Sequence, residues 1–210
     1  MRNFCITHRR ALMTLSIVSA VFTVCLLASA CNAPAWLTDA EALIPILGSS
    51  VTSVLSFIAA LTGNAGLSTL LNQISTIITD VGNGLTELES LITQYKSSPT
   101  DTLLQQIEQI ANLVSTNLNQ ILAATGLPAS IEGKIQAWAQ LALSQLEAWL
   151  GILPTLKVAV TSPKKLAAMA RPADDRLMTS AQLKEAFNTI LDTPTGDASV
   201  DQALRQAPRV

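Results

Sequence analysis

Leucine, isoleucine and valine recur along this chain at alternating steps of three and four, and these steps outline four long helices. The first seam, Ile44, Leu47, Val51, Val54, Ile58 and Leu61, is the stripe of a helix packed against neighbours. Thr38 with Glu41 forms a capping box upstream, and Gly63 can end the helix in the left-handed conformation, so a helix is predicted over about 38–62. Pro45 falls within its first two turns, where proline costs less than it does mid-helix. The second seam, Leu67, Leu71, Ile74, Ile78, Val81, Leu85, Leu88 and Ile92, is the longest. Gly82-Asn83-Gly84 interrupts it with poor helix formers and a turn-prone pair. The apolar register nevertheless passes through unshifted, which predicts one helix with a weak point or kink.

Ser98-Pro99-Thr100-Asp101 has the composition of a helix start, with proline tolerated in the first turn and an acid near the positive end of the dipole. The seam that follows is Leu104, Ile107, Ala111, Val114, Leu118 and Ile121, and Gly126-Leu127-Pro128 ends it. From about Ser130 a fourth helix carries a wider apolar face of Ile131, Ile135, Trp138, Leu141, Ala142, Leu146, Trp149 and Leu150. Short connections make successive helices alternate in direction. The expected fold is all-α: an antiparallel up-down-up-down four-helix bundle with left-handed packing. A partly ordered C-terminal extension follows. Within it Thr179 and Gln182 cap a short helix with Leu183, Phe187, Ile190 and Leu191 on one face, long enough to dock on the bundle.

The distribution of charge divides the chain in the same way. Residues 31–150 carry nine acids against Lys96 and Lys134, a net of −7, whereas 151–210 hold eight basic and six acidic side chains, a net of +2. The shift near Pro154 separates a bundle, 31–153, from a linker, 154–178, and a terminal segment of short helix and tail, 179–210. The linker mixes proline, alanine and basic residues and is expected to run extended over the surface or to be mobile. Its basic residues are spread over 20 positions with two acids among them, which favours a solvated segment over a headgroup-binding patch. No ionisable side chain occurs across 42–79 or across 109–131, so membrane insertion of a hairpin has to be weighed. Serine, threonine, asparagine and glutamine hold the faces between the seams, and that amphipathic order favours a water-soluble bundle. A surface so poor in charge repels weakly and suits self-association or close approach to a membrane.

The start of the chain follows a different logic. Arg2, Arg9 and Arg10 precede an uncharged stretch, 11–27, and the small residues Ala28, Ser29 and Ala30 lead to Cys31. This order resembles a bacterial lipoprotein signal, with Ala28 at the position where such signals usually carry leucine. The resemblance implies that 1–30 is removed as a signal peptide. It also implies that Cys31 is the lipidation site, carrying acyl chains such as palmitate, and that the protein is held at a membrane of the cell envelope. Asn32 beside it implies the outer membrane, facing the periplasm, in an organism with two membranes. Ala28-Ser29-Ala30 also suits ordinary signal peptidase, and about 20 apolar residues can serve as an uncleaved anchor, so both alternatives stay open.

Little catalytic chemistry is left after cleavage. Cys5, Cys25 and His8, the one histidine, lie in the segment removed, so the mature chain has no imidazole and no pair of thiols. There is no Gly-x-Ser-x-Gly elbow, nothing places Lys96 or Lys134 beside a serine, and Glu87 and Glu89 do not share a helix face. The acids of 192–201 fail the spacing of a calcium loop. An enzyme is not expected, nor a cofactor, a metal or a nucleic-acid partner. Trp138 and Trp149, 11 positions apart, project from one helix face and are expected to fill the core. Lining an apolar ligand pocket is their alternative role, and Trp36, close to Cys31, is expected at the membrane surface. Two functions follow: an envelope protein that interacts with itself or another protein, or a carrier of an apolar ligand such as an acyl chain. A membrane-active hairpin is a third, weaker reading.

Overall fold

A computed structural model describes residues 34–62, 66–153 and 177–210. The signal segment 1–30, Cys31, the Gly63 stop and the linker over 154–176 lie outside the described residues. The chain is all-helical where described, with six helices and no strand: α1 (Ala35–Leu61), α2 (Ser68–Ser97), α3 (Asp101–Ala123), α4 (Ala129–Leu150), α5 (Ser180–Asp192) and α6 (Ala198–Gln206). Trp36–Val210 forms one compact unit.

The periodic seams became its core. Every position of the first and third seams is buried, as is the second seam after Leu67, and in α4 only Leu141 and Leu150 remain half-buried. The polar faces between them need few charges because their hydroxyls turn back onto the helix. Ser49, Ser53 and Ser56 donate to the carbonyls of Pro45, Ser49 and Thr52 in α1, and Thr76 and Thr79 to those of Asn72 and Ser75 in α2. The helix α1 is long and apolar enough to cross a membrane by length and composition, and more than half of its apolar stretch is buried within the fold.

Its start departs from the expectation. The helix begins at Ala35, so Thr38 is an exposed residue within it rather than the cap, and Pro45 stands about three turns in. There it removes one backbone bond, the N–H that the Glu41 carbonyl would otherwise accept. Burial explains the extra turn: Trp36 and Leu37 are each only 2% exposed. Their apolar area stabilises helical geometry ahead of the predicted cap.

The expected weak point in α2 is continuous helix. A Cβ on Gly82 would stand 3.1 Å from Val51 Cγ1 of α1, and one on Gly84 would stand 2.6 Å from Val114 Cγ2 of α3. The two glycines thus let α2 approach a helix on either side. Glu41 and Lys96 pair at 2.6 Å. With Val51 beside Gly82, this makes α1 and α2 run in opposite directions. The contacts of Trp36 with Trp149 and of Ser50 with Trp138 do the same for α1 and α4. Helix α2 also lies along α3, and α3 along α4. The helix α3 starts in the predicted segment, but Thr100 is its cap, accepting the Leu103 N–H at 3.2 Å, so Pro99 stands ahead of the helix and not in its first turn. Gly126 takes φ of 101° beyond its end.

After α4, the chain returns as two helices where the pattern announced one. The box at Thr179 and Gln182 opens α5 as expected. The helix α6 is capped by Asp197, whose carboxylate accepts the N–H groups of Ser199 and Val200. Gly196 supplies the positive φ of the turn before it. Val200, Ala203 and Leu204 of α6 are buried, as are Leu183, Phe187 and Leu191 of α5.

Candidate functional site

Each tryptophan carries one donor, and burying it without a partner costs more than the bond itself returns. Trp149 donates its indole N–H to the Trp36 carbonyl at 3.1 Å, and Trp138 donates to Ser50 Oγ at 2.9 Å. Ser50 in turn donates to the Leu47 carbonyl at 2.7 Å, so the buried chain of polar atoms closes within α1. Trp36 lies against Tyr95 and Trp149, with ring centroids 5.3 and 6.3 Å away and both pairs tilted. The membrane-surface role expected for Trp36 is therefore corrected. The earlier start of α1 turns its ring into the core, where it joins α1 to α2 and α4. Burial raises the Tyr95 phenol above its ordinary pKa, and Asp101 adds to the effect.

Trp138 and Trp149 thus share one face of α4 as the spacing implies, both fill the seam against α1, and each indole donor is occupied. Trp138 borders a cavity of about 10 Å³ where α1, α4, α5 and α6 meet, lined also by Phe57, Ile135, Phe187 and Leu204. That space is about one water molecule. Hollows of about 300, 570 and 680 Å³ lie elsewhere on the fold, the smallest of them lined by Leu43, Ile46, Leu177, Met178 and Leu183 and the two larger more open to solvent. Among the described residues no three His, Cys, Asp or Glu side chains cluster to hold a metal ion. Cys31, the candidate lipidation site, lies outside the described residues.

Two polar residues of α4 that the sequence left without a role meet the C-terminal segment. Lys134 donates from Nζ to the carbonyls of Ile190 and Thr193, at the C-terminal end of α5. Burial lowers the pKa of this ammonium, and Asp201 and Asp192 oppose that shift. Near the other end of α4, buried Gln145 accepts the Met178 N–H through Oε1 at 2.8 Å, just ahead of α5. The available signal was placement: Lys134 adjoins Ile135 and Gln145 adjoins Leu146, both in the apolar face of α4. The acids of 192–201 are likewise committed. Asp192 pairs with Arg209 at 2.6 Å, Asp197 caps α6, and Asp201 accepts from the N–H and hydroxyl of Thr195.

No family model, curated protein or solved structure matches this chain. Its function has to be argued from the residues themselves.

Proposed function

We propose that this is a lipid-anchored helical-bundle protein of the bacterial cell envelope that acts by protein–protein interaction or scaffolding. The four long helices form an up-down-up-down bundle, the acyl chains sit on Cys31, and in a two-membrane organism the bundle faces the periplasm from the outer membrane. Its partners are the membrane, through that lipid, and a second copy or another envelope protein. It needs no cofactor and catalyses no reaction.

The observation that carries the anchor is the run of small residues into Cys31 behind a basic and then apolar segment. The interaction role is supported by a core packed to within about 10 Å³ at its main junction, beneath helix faces that present hydroxyls in place of charges. The alternative, a carrier for an acyl chain, would need an enclosed space on the order of 300 Å³ or more. The cavity beside Trp138, at about 10 Å³, is too small for one, which leaves the hollow of about 300 Å³ lined by Leu43, Ile46, Leu177, Met178 and Leu183 as the space such a ligand would have to use. The membrane-active hairpin is disfavoured by the burial of the apolar stretch of α1.

The intact mass of the protein extracted from native membranes tests the anchor. A mass of residues 31–210 plus acyl chains is expected, and an unmodified chain, cleaved or whole, would refute it. For the carrier, fatty acid should leave the melting temperature unchanged, and a large upward shift would favour ligand binding.

A further inference from the structure

The hollow of about 300 Å³ between α1 and the N-terminal end of α5 combines deep apolar walls with an unengaged charge at its rim. Its walls are the buried side chains of Leu43, Ile46 and Leu183. At its mouth stands Met178, 41% exposed and one of two large hydrophobic side chains exposed among the described residues. The rim carries Asp39, a half-buried carboxylate that makes no hydrogen bond or ion pair among the described residues.

The lining positions of α1 fix the shape of the space. Asp39, Ala42, Leu43 and Ile46 follow one another at i, i+3, i+4 and i+7, so the hollow runs along two turns of one helix face, about 10 Å, with the carboxylate at one end. A volume of about 300 Å³ holds about ten non-hydrogen atoms at about 30 Å³ each, the share of a water molecule. That suits a short chain with one polar end.

The charge at the rim decides what that end is. Asp39 brings a full negative charge, whereas Thr179 and Ser180 bring the N-terminal end of α5, whose dipole is worth about half a positive charge. The balance is negative, so a cation is held and a carboxylate is repelled. The exposed Ser180 hydroxyl adds a second acceptor for an ammonium N–H.

We propose that this hollow binds a small cationic amphiphile: a protonated primary alkylamine whose ammonium meets Asp39 and whose chain of about eight carbons lies along Leu43, Ile46 and Leu183, beneath Met178. The apolar walls supply the affinity and Asp39 the selectivity. The same carboxylate turns fatty acids away although their shorter chains would fit. This goes beyond the interaction role and rests neither on it nor on the anchor, so an unmodified mass would leave it intact.

The probe is octylamine, titrated below its micelle concentration into the whole protein with isotope-labelled methionine methyl groups. It should shift the Met178 methyl resonance at one molecule per chain, and octanoate, of the same length, should bind at least about tenfold more weakly, as for loss of a contact to a charged group. Butylamine, shorter by four methylenes, should bind about a hundredfold more weakly, in line with the burial of each methylene. Asp39→Asn should weaken octylamine about tenfold or more and remove its advantage over octanoate. Ala42→Phe, a change at an exposed position of α1 that lines the hollow, should fill the space and abolish binding of both. A Met178 methyl that octylamine leaves unmoved, as when 154–176 or a second copy covers the hollow, would overturn the proposal. So would equal binding of octanoate by the unaltered chain, or an affinity for octylamine unchanged by Asp39→Asn or by Ala42→Phe.

Discussion

The four long helices and the C-terminal pair solve the same packing problem by different means. Residues 36–153 rely on long apolar seams, short connections and hydroxyls satisfied within their own helices, with Glu41–Lys96 as the ion pair that ties α1 to α2. Residues 177–210 form two short helices, each with few buried positions, and are held by polar devices: a capping box, the Asp197 cap, the Asp192–Arg209 pair and the contacts from Lys134 and Gln145. A long amphipathic helix buries enough area to be placed by its seam, whereas helices of 13 and 9 residues need their ends fixed as well. Stability should therefore be unequal, with the C-terminal pair opening before the bundle.

The largest expected effect is on the bundle. Trp149→Ala should cost about 3–5 kcal/mol. It removes a fully buried ring along with the donor to the Trp36 carbonyl, and urea unfolding followed by helical circular dichroism reads the loss. Phe187→Ala should match it in chemistry but not in reach. Hydrogen exchange should accelerate in α5 and α6 while α2 and α3 keep their protection, and uniform acceleration would mean that the two regions open as one.

Gly84→Ala tests the close approach of α2 to α3. The new methyl would meet Val114 Cγ2 at 2.6 Å, and valine in a helix has little rotamer freedom with which to yield. Overpacking of about 1–3 kcal/mol should outweigh the helix-propensity gain of about 1 kcal/mol. Gly48→Ala, with nothing within 4 Å, is the control and should stabilise by about 0.5–1 kcal/mol. Equal effects of the two alanines on the melting temperature would remove the packing explanation for Gly84.

Acid should separate the regions more gently. Hydrogen bonds from Ser199 and Val200 to Asp197, and from Thr195 to Asp201, hold both carboxyls below their ordinary value of 3.8. Their contribution is present above that value and is lost as pH falls through the lower folded values. Exchange protection of the α6 amides should accordingly drop as pH falls below 3.8, ahead of α2 and α3, and simultaneous loss would argue against this source of stability. The smallest effect is expected at Ser115, whose buried hydroxyl lacks a hydrogen-bond partner. Ser115→Ala should stabilise by up to about 1 kcal/mol, read as a small rise in melting temperature.

The same division separates what was legible along the chain from what was not. Seam positions, the Thr100 start, the Gly126 stop and the Thr179–Gln182 box could be read in advance because each depends on residues within about one turn of one another. The first turn of α1 was missed because Trp36 is drawn in by Tyr95 and Trp149, which lie 59 and 113 positions away. The second short helix was missed because Asp197, Gly196 and Thr195 look like loop composition until the cap at Asp197 is seen to open a helix. Of the candidate site, the shared face of Trp138 and Trp149 was legible, while Ser50 and the Trp36 carbonyl as their acceptors were not.

The sequence by itself determined that the described residues are helical, the extents of the four long helices and α5 to within a few residues and the side of each that turns inward, because apolar periodicity is a local property. Only the tertiary structure decided which helix faces which. It turned Gly82 and Gly84 from apparent weak points into contact surfaces, closed the interior to about one water at the junction of four helices, and put Lys134 and Gln145 at the two ends of α5. Those outcomes depend on pairs of atoms brought together from distant parts of the chain, and no window along the sequence contains both members of such a pair.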